Sequence, residues 1–232
     1  MSSSNSTSPA SRPNSPMPEW SSGNFTITSS DGVDLKIEDY HLRSASTVFR
    51  DMIESGTDGP LKIEFTDPDF ETADIVARFL NIIVNAQVAS GSWRMSDHVQ
   101  LGQLLKKYDC AAAITVLALH IGQGYGGGIR SFILGAALDD ADICTSALRP
   151  PFDKWEDSPH KRKKGEGKDA LGNTRASKGS HFNTQTLPME WVALIPLDYR
   201  WALDRAFLTV GDHTDLPLKF ALLLQDAKAT KV

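Results

Sequence analysis

The sequence predicts an α+β protein: a small sheet capped by a helical cluster, with a further helical extension toward the C-terminal end. Three observations predict it. Residues 25–37 read as two alternating strands joined at Asp31-Gly32. A third short alternation follows at Leu61, Ile63 and Phe65. Most other apolar residues recur at spacings of three and four, the period of a helix with one buried face.

Taken in order, Phe25 and Ile27 alternate with Thr26 and Thr28, and Val33, Leu35 and Ile37 repeat the pattern. Asp-Gly between them supplies the positive φ angles of a tight hairpin turn. Ala45, Val48, Phe49 and Met52 form one helical stripe within a helix expected over 44–54. Ile75, Val76, Phe79, Leu80 and Ile83 form the next. Leu101, Leu104, Leu105 and Tyr108 form a third, with Ser96 placed to cap it and Asp97 suited to its dipole. Ile114, Leu117 and Ile121 form a fourth, stopped at Gly122. Ile129, Phe132, Ile133 and Ala136 form a fifth, and Tyr199, Ala202, Leu203, Ala206 and Val210 a sixth. An amphipathic stretch over 218–227 follows.

Two segments carry too few apolar residues to offset the entropy of ordering them. Residues 1–22 are rich in Ser, Pro and Asn and are expected to form a disordered tail. Residues 153–186 are expected to form a mobile basic loop separating two packed units, with C-terminal helices over 187–232. The loop carries the basic run Lys161, Arg162, Lys163 and Lys164, a candidate nuclear-import signal. It also holds Ser158-Pro159, a candidate phosphorylation site for proline-directed kinases.

The 232 residues carry a net charge of -5, which argues against a nucleic-acid-binding surface. No apolar run approaches the ~18 residues of a membrane span. The two cysteines, Cys110 and Cys144, sit among apolar helical residues. They read as buried free thiols of a reducing, intracellular compartment, cytoplasmic or nuclear. No cysteine or histidine spacing suits a metal, and no nucleophile elbow occurs. One motif competes for an enzyme reading. Gly122, Gly124 and Gly127 satisfy G-x-G-x-x-G, and Asp142 lies about twenty residues on. A dinucleotide fold would need 114–121 to be a strand. The alanines at 111–113 favour helix, and no further strand–helix alternation follows, so a glycine-rich joint between two helices is expected.

The series DGVDLKIEDYHLRSASTVFRDMIESG, residues 31–56, resembles the BTB/POZ family. Leu42, Ser46, Phe49 and Met52 stand at the family's leucine, serine, phenylalanine and methionine spacings. LKIEFTD is similar to its third strand, FETADIVARFLNIIV to its next helix, and LGQLLKKYDC to its leucine–basic–tyrosine segment. The likeness covers 24–123. Residues 124–152 resemble the shortened helical extension of BTB proteins from fungi, and LIPLDYRWALDRAF is similar to a segment near their end. Glu38 and Thr47 replace the histidine and proline common in the family.

The resemblance implies a protein–protein interaction module, an adaptor or scaffold acting by binding, with neither catalysis nor a cofactor. It also implies a symmetric dimer through the first strand and first helix, with Phe25, Ile27, Arg50 and Asp51 in the patch. The charged outer face of that helix makes a weak dimer or a monomer the expectation. A substrate adaptor of a cullin ubiquitin ligase is the alternative within this class. The segment NAQVASGSW over 85–93 lacks the acidic residue such a contact uses. A nucleotide-binding enzyme using the loop 122–127 is the alternative from another class.

Overall fold

Phe25 and Ile27 are closed off from solvent because they share the face of the sheet that covers the core. The computed structural model describes residues 18–56, 61–88, 93–123, 127–149, 187–210 and 215–230. Strand β1 (Phe25–Thr28) pairs antiparallel with β2 (Asp34–Ile37) and parallel with β3 (Lys62–Glu64), in the order β2-β1-β3. The hairpin is therefore not an edge by itself: β2 is one edge and β3 the other. Of the turn residues, only Gly32 has positive φ, at 80°. Asp31 instead uses its carboxylate, accepting from the Ala73 amide at 2.8 Å and so capping the helix α3 (Ala73–Asn85).

The ordered part starts before Phe25. A 3-10 turn at Pro18–Trp20 seats Trp20 against β2 with 8% exposure, correcting the disordered-tail expectation for 18–22. A tryptophan buries enough apolar area to order its neighbours. Residues 1–17 lie outside the described residues.

Two short helices replace the single one expected over 44–54. Helix α1 (Asp39–Ala45) and helix α2 (Thr47–Glu54) meet at Ser46, whose backbone is extended. The Ser46 hydroxyl accepts from the Phe49 amide at 3.1 Å, donates to the Tyr108 carbonyl, and so ends one helix while starting the next. This rotates the second helix: Phe49 and Ile53 are buried, and Met52 is exposed. The expected Met52 position in the core is corrected by that break.

Helices α3, α4 (Met95–Lys107) and α5 (Ala111–Gln123) follow the predicted stripes with two changes: Ile82 rather than Ile83 is buried on α3, and Ala113 rather than Ile114 is buried on α5. The cap of α4 is Arg94, not Ser96; Asp97 accepts from the Arg94 amide at 3.1 Å. Helix α6 (Gly127–Ala137) is buried on almost every side, as an all-round apolar helix must be. Helix α7 (Ala141–Ala147) turns back against it.

The expectation of two separately packed units is also corrected. Helices α8 (Met189–Val192), α9 (Leu197–Thr209) and α10 (Leu216–Ala229) bring no core of their own. α9 and α10 pack on each other, and α10 on α7. Phe220 meets Phe132 edge-on at 5.3 Å, and the buried apolar residues of the whole chain form one cluster.

Acidic residues hold two of the joints. Glu71 is fully buried and accepts from the Thr66 and Asp67 amides, from Lys107 at 2.6 Å and from the Tyr108 hydroxyl at 3.1 Å. Burial alone would raise its pKa. Lys107, the Asp67 amide and Tyr108 outweigh that and hold it below the usual carboxylate range. Asp139 accepts from the Tyr199 hydroxyl at 2.8 Å and from Lys228. It thereby ties α9 and α10 to the α6–α7 corner. Asp140 caps α7 through the Asp142 and Ile143 amides, each at 3.0 Å.

Candidate functional site

A groove of about 800 Å³ lies between α5 and α7, over α6. One wall is the outward face of α5, where Ile114, Ala118 and Leu119 follow at helical spacing. The opposite wall is α7, with Ile143 and Ala147. The floor is the start of α6: Gly127, Gly128 and Ser131. Small residues there let an incoming chain approach the backbone closely. Asp140 and Asp142 line one part of the groove and Arg149 another. Leu119, an apolar residue, is 60% exposed.

Gly127 is explained by packing. A Cβ on Gly127 would stand 2.2 Å from the Gly122 carbonyl oxygen, so only glycine lets α6 start against the end of α5. The negative end of one helix meets the positive end of the next, and the dipole of α6 is answered within the chain. Residues 114–121 are helical, so the strand–loop–helix unit of a dinucleotide site is not formed there. Gly124 lies outside the described residues. Gly122 lines the groove, and a Cβ on it would meet nothing closer than the Ser131 hydroxyl at 3.5 Å.

The self-association patch expected on the first strand is not brought together. Phe25 is 4% exposed and Ile27 fully buried, because β1 has partners on both edges and its apolar face covers the core. Arg50 and Asp51 do lie on the exposed side of α2. Arg50 donates to the Arg43 carbonyl, across the joint between α1 and α2. Ser158 and the run Lys161, Arg162, Lys163 and Lys164 lie outside the described residues, as does the whole of the segment 153–186.

Beside the groove region, a stack of rings runs from Arg78 over Trp93, at 4.2 Å, to His98 and on to His120. His98 is 3% exposed, and its Nδ1 lies 2.9 Å from the Arg94 carbonyl. Burial, with Arg130 and His120 nearby, lowers its pKa to about 4, so the ring is neutral at pH 7. Both cysteines are fully buried free thiols. Burial pushes the Cys110 thiol up to about 12, which removes it as a nucleophile. Among the described residues no group of acidic, histidine and cysteine side chains could hold a metal ion, and no helix is long and apolar enough to cross a membrane.

Sequence periodicity did not single out the groove. Its walls come from α5 and α7, about thirty residues apart, and its lining is small rather than conspicuous. The only local signal was the excess of alanine and glycine on the outer side of α5 and the start of α6. No protein-family model matches the chain, and no curated protein matches it.

Proposed function

We infer that the chain is a non-catalytic protein-binding module, an adaptor or scaffold of BTB/POZ type, and that the groove between α5 and α7 is its docking site. The observation that carries this reading is the groove's make-up. A floor of small residues between two apolar helix walls suits an amphipathic helix, which lays its apolar face into such a trough. Asp140 and Asp142 favour a basic residue on the partner. The order of elements is consistent with the one the BTB/POZ resemblance implies, hairpin, helix, third strand, then helices, with two short helices in place of the first. The binding reading treats the buried groups as framework, since Glu71, His98 and both thiols face the chain's own atoms.

The test is comparative capture. Ala118→Arg fills the trough from one wall while its Cβ stays on the outer side of α5. Proteins captured from a lysate by the native chain should be lost with this variant, whose melting temperature should stay within about 2 °C of native. A cullin among the lost proteins would assign the ligase-adaptor role; any other set assigns a different partner. A rise of several degrees in melting temperature on adding adenine nucleotides would overturn the non-catalytic reading in favour of a nucleotide enzyme.

A further inference from the structure

The outer side of α10 matches the groove in apolar character, charge and spacing. Leu218 and Leu222 stand on it with exposures of 67% and 51%, while Leu216, Phe220 and Leu224 face inward. Lys219 and Asp226 run along one edge of that leucine pair. At about 100° and 1.5 Å per residue, positions seven apart lie on one side of a helix, about 10 Å from each other. Among the described residues neither side chain has a partner. On α7 the same spacing recurs with the signs exchanged. Asp142 and Arg149 line the groove seven positions apart, and their side chains too are unpaired among the described residues. We propose, building on the docking reading of the groove, that its occupant is α10 of a second copy of the chain, running parallel to α7, with Lys219 on the partner's Asp142 and Asp226 on the partner's Arg149.

Helix handedness selects the parallel setting independently of the charges. Viewed along α7 from its start, Ile143 and Ala147 lie clockwise of the rim formed by Asp142 and Arg149, so the trough opens on that side. Viewed along α10 in the same way, the edge with Lys219 and Asp226 lies clockwise of Leu218 and Leu222. With the leucines laid into the trough and the two helices parallel, the charged edge turns toward α7. The cation then falls at the acidic end and the anion at the basic end. An antiparallel α10 would turn that edge toward α5, whose groove-lining residues carry no charge. The contact is heterologous, a helix on one copy entering a groove on the next. Its size sets its strength. A helix of 14 residues is about 21 Å long and about 10 Å across, so one side of it covers at most a few hundred Å². A standard interface uses about 800 Å² per partner, so this contact dissociates in the micromolar range.

Sedimentation of the full chain from about 1 to about 300 μM tests this, a range that brackets micromolar dissociation. The mass should rise above that of one copy. Leu222→Arg on the helix and Ala118→Arg in the groove should each hold the chain as a single copy. Mixing these two variants should give a dimer, since each keeps the surface the other has lost, and that recovery also shows both to be folded. Lys219→Glu should weaken association roughly tenfold, and adding Asp142→Lys should restore it. A native chain that stays a single copy at the highest concentration overturns the proposal. So does a mixture of the two arginine variants that fails to associate, or an association indifferent to Lys219→Glu. Single copies at every concentration, with lysate proteins still lost from Ala118→Arg, remove α10 as the occupant and leave the docking site. Capture indifferent to Ala118→Arg removes the docking reading itself.

Discussion

Phe49 shows how one residue can serve three elements. It lies on α2, stacks on Tyr108 at the end of α4 with ring centroids 4.6 Å apart, and approaches Phe79 of α3 at 6.0 Å. Phe65 covers the other contact of Tyr108 at 4.9 Å. Removing the Phe49 ring empties a site with no solvent access, so Phe49→Ala should cost about 3–5 kcal/mol in urea unfolding. Met52→Ala, three residues on, should cost less than about 0.5 kcal/mol because the side chain already faces water. Equal losses at the two positions would mean that α2 is a continuation of α1 after all. Phe49 was legible from helical spacing; Met52 was misassigned because spacing assumes an unbroken helix. Ser46 breaks it, and a serine inside an apolar stripe looks the same whether it caps two helices or sits in one. Glu71 was illegible for a different reason. A carboxylate is normally a surface residue, and only its four donors, drawn from two segments, make burial tolerable.

At the scale of the element, the strands and α3 to α5 were readable because each has one wet face and one dry face, and that contrast is what periodicity detects. The limits of the method appear at the joints. Asp109 and Asp139 both adopt the left-handed conformation, with φ of 50° and 54°. In each case the next amide reaches back five residues, Cys110 to Leu105 and Asp140 to Gly135. These are the same helix-ending motif used twice, with aspartate where glycine is usual, so no glycine marks either stop. The glycines at 122 and 127 invite a direct test. Gly127→Ala should destabilise by about 1–3 kcal/mol, because its methyl group would overlap the Gly122 carbonyl. Gly122→Ala has room and gains helix propensity, so it should be neutral or stabilising by up to about 1 kcal/mol. A phosphate-cradling loop would have needed glycine at both positions; thermal unfolding of the two variants distinguishes the roles.

For the whole molecule, the neutral His98 couples stability to pH. Its pKa is near 4 when folded and near the ordinary 6.5 when unfolded. Between these values the unfolded chain binds the extra proton, so stability rises with pH. The contribution is complete above about pH 6.5 and is lost as the pH falls toward 4, an upper bound of about 3 kcal/mol. His98→Asn should flatten the stability curve in that window while leaving the region above pH 7 with the same slope. An unchanged curve would show that other groups carry the acid sensitivity. The groups facing His98 are the Arg94 carbonyl, Asp97, His120 and Arg130, so the effect belongs to the junction of α4, α5 and α6 rather than to one helix.

The all-round burial of α6 also constrains how the chain is made. Its cover arrives from both directions along the sequence: α4 and α5 are synthesised before it, while Phe220, which closes over Phe132, comes roughly 90 positions later, a delay of about 4–18 s at ordinary elongation rates. During that interval a nascent chain carries its most buried helix with one side unsealed. Newly synthesised copies on the same messenger are then close enough to meet through that side, and the exposed species is the one a chaperone would hold. Slow codons placed before α9 would lengthen the vulnerable period, whereas the same codons after α10 would not.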